Sequence, residues 1–298
     1  METEQQAIIS IALMAALADG QQSDAETANL ATLSKEFGED LFSEVASGDV
    51  TLESQVALLI TPEAKQQALE SAIAVCHADG TTNKAENEFL YKLRAALQLP
   101  SDAAQGTQQQ ANDLATTPVS TPIADATSVT DGADALENLI LSHSVIAGAL
   151  QLLPQGLANL AVLPVQTKMV YQIAEKYGHK PNRENITDLL TVVGVGIASQ
   201  VVGGIARGLL RGVAGRLMGG VAGTAADAAV SFGTTFALGG VAKKYYEQDR
   251  KINTEDIKQV FRDRLEQGKA LYSKYQGQIS EKAKSLNPSD ITAMLRGK

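Results

Sequence analysis

Residues 16–26 read ALADGQQSDAE and residues 76–86 read CHADGTTNKAE, so one acidic pattern, A-D-G-x-x-[SN]-x-A-E, occurs twice at an offset of 60 residues. In each copy the glycine suits the left-handed backbone that ends a helix. The serine or asparagine that follows is a good N-cap, and the glutamate three residues later completes a capping box. The repeat therefore predicts two helix–turn–helix segments within a small all-helical domain.

Helix capping does not account for the aspartate of each copy, which lies at the C-terminal end of a helix, where the macrodipole disfavours a carboxylate. If the copies pack around a pseudo-twofold axis, Asp19, Glu26, Asp79 and Glu86 converge, with Asp24 nearby. Four or five carboxylates suit a hard divalent cation such as Ca²⁺ or Mg²⁺. Two interpretations stay open: a purely structural turn and a metal site made of these acids.

The two segments ALMAALADGQQSDAETANLATL and AIAVCHADGTTNKAENEFLYKL resemble the two halves of the TerB-like tellurite-resistance helical domain. The resemblance covers roughly residues 5–99. It implies an all-helical fold with acidic residues associated with metal ions, which on this chain are Asp19, Glu26, Asp79 and Glu86. It does not imply catalysis.

The net charge of −9 over 298 residues conceals two unlike halves. Residues 1–135 carry 5 basic and 21 acidic residues, whereas residues 136–298 carry 20 basic and 13 acidic residues. Such a division predicts different partners for the two halves, and a basic half beside apolar helices suits anionic lipid. The single cysteine, Cys76, excludes an intrachain disulfide framework and fits a reducing compartment. We therefore expect a cytoplasmic protein, at the cytoplasmic face of the inner membrane if it is membrane-associated.

Composition divides the chain into four segments. Residues 1–99 form the acidic helical domain, and residues 100–133, rich in Gln, Thr, Ala, Ser and Pro, have the composition of a flexible, disordered linker. Residues 134–250 form a glycine-rich hydrophobic helical domain. Residues 251–298 form a basic amphipathic helical tail. The expected apolar face of the tail contains Ile257, Phe261, Leu265, Tyr275 and Ile279.

Three residues within the hydrophobic domain predict where its helices end. Residues 139–167 contain no Asp, Glu, Lys or Arg, and Pro154 and Pro164 interrupt this stretch. Because proline lacks a backbone donor, we expect kinks or breaks there. Gly178 is expected to end the helix that follows.

Glycines spaced four residues apart mark the centre of the hydrophobic domain. They are Gly204, Gly208 and Gly212, followed by Gly215, Gly219 and Gly223. Between and beside them lies a basic surface of Arg207, Arg211 and Arg216. Small residues at this spacing allow close helix packing, as in membranes. Two readings stay open: a membrane-inserted or membrane-attached domain, and a soluble bundle with a small-residue core.

The segment LSHSVIAGALQLLPQGLANLAVLPVQTKMVYQIAEKYGHKP and the glycine-rich helices after it resemble the YcjF-type domain of unknown function. The resemblance covers roughly residues 136–246. It implies membrane association and a link to Era-like or dynamin-like GTPases. This chain has no phosphate-binding loop, because Val221 stands where the loop needs lysine, so such a GTPase would act in trans.

No motif of a catalytic site appears, and the three histidines are scattered. We therefore expect no enzyme, no organic cofactor and no nucleic-acid partner. The leading hypothesis is a membrane-associated adaptor or stress-response protein, in which an acidic cation-sensing or partner-recruiting module is tethered to a membrane-binding or oligomerising domain. The alternatives are a soluble helical interaction or assembly protein and an accessory partner of a GTPase. We expect the chain to form a homo-oligomer and to have membrane lipid or a membrane protein as its partner.

Overall fold

Every regular element in the described part of the chain is a helix, which confirms the predicted all-α fold class. The computed structural model describes residues 2–18, 39–76, 82–99, 116–123, 135–153, 157–182, 222–286 and 291–297, with short pieces at 106, 109, 113–114, 185–186 and 189–190. These residues divide into two compact units, and residue 117 begins the second of them.

The first unit is built around its N-terminal helix. Its described helices are α1 (Glu2–Ala16), α2 (Glu39–Ser47), α3 (Leu52–Ala57), α4 (Pro62–Cys76) and α5 (Lys84–Leu97). Helix α1 contacts the other four, and its Ile8 and Ile11 are at most 2% exposed. Pro62 begins α4, as expected for a residue without a backbone donor, and Cys76 is buried at the end of that helix.

One carboxylate joins α1 to the start of α4. Glu4 Oε1 accepts hydrogen bonds from the backbone N–H groups of Ile60 at 2.9 Å and Thr61 at 2.8 Å, and from the Thr61 hydroxyl at 3.0 Å. These bonds, with that from the Thr61 backbone foremost, lower the pKa of Glu4. A negative charge at a helix N-terminus is also favourable for the helix dipole.

The second unit packs a long apolar helix against three others. Its described helices are α6 (Ala135–Leu150), α7 (Leu157–Lys176), α8 (Ala222–Glu247), α9 (Thr254–Ser285) and α10 (Ile291–Leu295). Helix α8 packs on α6, α7 and α9. Within this core the ring of Phe232 lies 5.7 Å from that of Tyr275, between centroids. Ile257 and Ile279 are buried as the amphipathic pattern predicted, so the predicted tail is part of this unit.

Glycines set the separation between helices in this unit. A Cβ atom added to Gly268 of α9 would lie 3.0 Å from the Cα of Gly233 in α8. A Cβ atom added to Gly239 would lie 2.6 Å from the side chain of Ile140 in α6. Close packing through small residues is therefore present here, but at glycines that the four-residue spacing does not identify.

Two features of the second unit differ from the expectations. Helix α7 continues through Pro164 instead of breaking there. In addition, part of the predicted linker is held in place, because Nζ of Lys168 donates to the carbonyl oxygens of Pro118 at 2.5 Å and Thr121 at 2.6 Å. Lys168 is 0% exposed, and Ile123 is also buried. Residues 117–123 therefore belong to the second unit.

Candidate functional site

The part of the acidic repeat that the structure describes is a helix cap. Asn83 Oδ1 accepts from the backbone N–H of Glu86 at 3.0 Å, and Glu86 Oε2 accepts from the backbone N–H of Asn83 at 2.8 Å. This reciprocal pair is the predicted capping box at the start of α5. It gives Glu86 a structural role that needs no ligand.

The remaining acids of the predicted metal site, Asp19, Asp24, Glu26 and Asp79, lie outside the described residues. Within the described ranges, no three His, Cys, Asp or Glu side chains are grouped to hold a metal ion. The Ca²⁺ or Mg²⁺ site stays a prediction.

The predicted glycine rows and basic surface are not described either, with one partial exception. The glycines Gly204, Gly208, Gly212, Gly215 and Gly219 and the arginines Arg207, Arg211 and Arg216 lie outside the described residues. Gly223 lies in the first turn of α8. The role of this segment in membrane or helix packing stays a prediction.

Helix α8 is a long apolar helix in the described part of the chain. Its segment Ala225–Glu247 has 23 residues and a mean hydropathy of 1.2 over its best window, which is enough to cross a membrane by length and composition. It is the one helix in the described ranges with this property, and 67% of that window is buried inside the protein. At its C-terminal end the apolar sequence changes abruptly to Lys243-Lys244-Tyr245-Tyr246.

The C-terminal ends of α7 and α8 have the same hydrogen-bonding geometry. After α7, the N–H of His179 donates to Ala174 O and that of Gly178 to Glu175 O, each at 3.0 Å. Gly178 has a φ of +80°, so it ends the helix as predicted. This pattern is a Schellman motif, in which the last carbonyl groups of a helix are satisfied by the residues that follow it.

After α8, the N–H of Arg250 donates to Tyr245 O at 2.9 Å and that of Asp249 to Tyr246 O at 3.1 Å. Asp249 and Arg250 both have positive φ, at 52° and 63°. Side chains at such φ cost roughly 1 kcal/mol each relative to glycine. The second Schellman motif is thus made by two residues with side chains, one acidic and one basic.

The two Schellman motifs bring together the residues that follow α7 and α8. The ring of His179 lies 5.4 Å from that of Tyr246, between centroids, and His179 Nε2 lies 3.5 Å from a carboxylate oxygen of Asp249. Asp249 also lies 3.3 Å from Lys251 Nζ. Tyr245 packs edge-on against Tyr246.

A cavity of about 350 Å³ opens between these helix ends. It is lined by residues 178–181 and Asn185 after α7, and by Tyr245, Tyr246 and Arg250 at the end of α8. The lining contains two cationic side chains, Lys180 among residues 178–181 and Arg250, together with a histidine and two phenols, but no carboxylate. This is a notable composition in a chain with a net charge of −9.

Burial raises the pKa of Tyr246 to about 12, with a smaller contribution from Tyr245, and the charge of Arg250 opposes this rise. The Tyr246 hydroxyl therefore stays protonated at neutral pH and keeps its hydrogen-bond donor. The cavity thus presents positive charge and neutral donors, which is the chemistry of an anion site.

In the sequence, Lys243 and Lys244 end the apolar part of α8 and residues 178–185 are polar, but nothing in the sequence connects the two segments. The two segments are connected because the ends of α7 and α8 lie side by side and each is followed by a basic residue. That connection becomes readable only once α7 and α8 are known to pack together.

Comparison with known proteins finds a family model that matches part of the chain. Residues 134–270 match the model of a domain of unknown function (DUF697), just under half of the chain. The match is consistent with the YcjF-type resemblance and extends it into α9. The TerB-like resemblance of residues 5–99 stays a prediction. No curated protein and no solved structure matches the chain.

Proposed function

We propose that the second unit attaches this protein to an anionic membrane surface and that the acidic first unit is its tethered, non-enzymatic recruiting or cation-sensing module. The observation that supports attachment is the end of α8. There an apolar helix meets Tyr245 and Tyr246, with Lys243, Lys244 and Arg250 close by in the sequence. Tyrosines favour the membrane–water interface, and Lys and Arg are attracted to anionic lipids.

Peripheral attachment fits this unit better than a spanning helix. Helix α8 is covered by α6, α7 and α9, and two thirds of its apolar window is buried. A spanning α8 would have to give up those contacts. In our proposal the unit stays folded and places one end on the cytoplasmic face of the inner membrane, and the protein serves as an adaptor or stress-response protein.

Sedimentation with vesicles tests the attachment. The full chain is mixed with one of two kinds of vesicle. The first is phosphatidylcholine alone, and the second contains about 30% phosphatidylglycerol, which makes its surface anionic. We expect sedimentation with the anionic vesicles, weakened by salt because surface charge is screened. Complete recovery in the supernatant with both kinds of vesicle at low salt would exclude the proposal.

The burial of α8 favours a second candidate, a soluble helical assembly protein. In that case α8 is simply the core helix of a bundle, and copies of the chain associate into a homo-oligomer. Light scattering in buffer without detergent separates the two candidates when it is combined with the vesicle assay: a uniform oligomer without vesicle binding supports assembly. An accessory role beside an Era-like or dynamin-like GTPase would appear as co-purification of that GTPase with the chain.

A further inference from the structure

We infer that the cavity between the C-terminal ends of α7 and α8 binds a phosphate group carried by a small ester. The inference deepens the proposed function by naming the chemical group recognised at the membrane-facing end. It rests on that function only for the source of the phosphate, which is either a lipid headgroup or a free phosphate ester.

The first argument is the charge of the lining. Lys180 and Arg250 face one cavity from two different segments, and neither forms an ion pair within the described residues. Asp249, which precedes Arg250 in the sequence, lies against His179 and Lys251. The carbonyl groups at these two helix ends already accept the hydrogen bonds of the Schellman motifs, and the two cations, which have no ion-pair partner among the described residues, oppose the negative ends of the helix dipoles, so that an anion at the cavity is stabilised. Guanidinium and ammonium groups are the usual protein donors to phosphate oxygens.

The second argument is the backbone that places Arg250. Because Asp249 and Arg250 hold left-handed conformations that glycine or asparagine would adopt more easily, the local sequence carries a conformational cost. That cost puts the Arg250 side chain at the cavity and the Asp249 carboxylate beside His179. Costs of this kind concentrate at ligand sites.

The third argument is size and shape. A cavity of about 350 Å³ is larger than a bare phosphate and accommodates the ester group attached to it. Tyr245 and Tyr246 line the cavity from the end of α8, and Asn185 supplies a polar side chain from the segment after α7. Glycerol phosphate, which is both a free ester and the headgroup unit of phosphatidylglycerol, fits this description.

The test uses the full chain and two probes, glycerol phosphate followed by calorimetry and phosphatidylglycerol vesicles followed by sedimentation. The pocket variant is Lys180→Gln with Arg250→Asn, since asparagine tolerates the left-handed φ at position 250. The control variant is Lys258→Gln with Lys269→Gln, which removes two charges from α9 outside the cavity lining. Circular dichroism checks that both variants are folded.

We expect wild type and the control variant to bind at least one probe and the pocket variant to bind it at least tenfold more weakly. If glycerol phosphate binds and vesicles do not, the inference holds with a free ester as ligand and the membrane proposal fails. If only vesicles bind, and the pocket variant weakens that binding selectively, the phosphate belongs to the lipid. Vesicle binding that is equal in the pocket and control variants, without glycerol phosphate binding, overturns the inference and leaves the membrane proposal standing. No binding of either probe overturns both.

Discussion

The guanidinium group of Arg264 in α9 donates to the carboxylate of Glu137 in α6 across 2.6 Å, and the two side chains are only 22% and 19% exposed. The same guanidinium lies 4.2 Å from the centre of the Phe236 ring in α8. One side chain of α9 therefore contacts two other helices of the second unit, α6 and α8. The Glu137 carboxylate pairs with the charge of the guanidinium group, and the Phe236 ring packs against the face of that group.

Replacing this arginine should destabilise the second unit. For Arg264→Met we expect a loss of roughly 2 kcal/mol in the free energy of unfolding, less than for a fully buried pair because both groups retain some water. Urea denaturation followed by circular dichroism measures the loss. In a double-mutant cycle with Glu137→Gln, the stability losses of the two single variants should sum to more than the loss of the double variant. Strictly additive losses would contradict the coupling.

Two glycines of α9 should respond in opposite directions to alanine. A Cβ at position 268 would press on the Gly233 backbone, with distances of 3.0 and 3.1 Å to its Cα and O, so Gly268→Ala should lower stability by about 1–3 kcal/mol. Gly277 has no neighbour within 4 Å of an added Cβ, so Gly277→Ala should raise stability by about 0.5–1 kcal/mol through helix propensity. Thermal unfolding compares the two. Equal shifts would show that α9 does not pack on α8 at position 268.

Local signals predicted much of this fold. The capping box of Asn83 and Glu86 and the helix end at Gly178 depend on residues within a few positions of one another, and both are found as predicted. The buried face of α9 follows from periodicity in the same way. These features depend on the backbone nearby, so the sequence pattern is sufficient to identify them.

Features that depend on packing were not predicted. The hydrogen bonds of Lys168 reach carbonyl groups 47 and 50 positions away, and nothing near residues 117–123 indicates that they are held. The phosphate-site candidate joins residues 178–181 and Asn185 to Arg250, and the order of helices along the chain does not specify which helix ends meet. Pro164 lies inside α7 because tertiary contacts override the local preference for a break.

A buried histidine should make the second unit sensitive to acid. His143 Nδ1 donates to Leu139 O at 2.8 Å, and its buried Nε2 has no hydrogen-bond partner within the described residues. Burial, opposed by the hydrogen bond to Leu139 and assisted by the nearby charge of Lys168, lowers the pKa of His143 to about 4. The unfolded chain therefore binds a proton near pH 6.5 that the folded chain does not accept until about pH 4.

The stability contributed by neutral His143 is thus present above pH 6.5 and is lost as the pH falls toward 4. Between pH 7 and pH 5 we expect this group to remove about 2 kcal/mol from the free energy of unfolding. The variant His143→Leu removes both the titration and the unpaired Nε2, so its stability should fall less over that interval. Identical pH dependence in the variant and wild type, measured by urea denaturation, would contradict the assignment.

The buried amino group of Lys168 should control access to residues 117–123. In Lys168→Met the carbonyl groups of Pro118 and Thr121 lose their donor, so this segment should separate from the second unit more often. We expect its amide hydrogens to exchange at least tenfold faster, measured by mass spectrometry. Lys176→Met, at the exposed end of the same helix, is the control and should leave the exchange of this segment unchanged.

A conservative change at Glu86 separates the two interpretations of the acidic repeat. Glutamine at the third helical position also completes a capping box, so Glu86→Gln should keep α5 within about 0.5 kcal/mol of wild type. Asn83→Ala removes the cap itself and should cost about 1 kcal/mol in the free energy of unfolding.

The cation test applies if the five acids of the repeat hold Ca²⁺ or Mg²⁺; they are Asp19, Asp24, Glu26, Asp79 and Glu86. In that case millimolar cation should stabilise wild type against heat. Glu86→Gln should lose most of that stabilisation, because it removes one anionic ligand. A cation effect that is absent in wild type, or equal in both proteins, would leave the repeated turn with a structural role only.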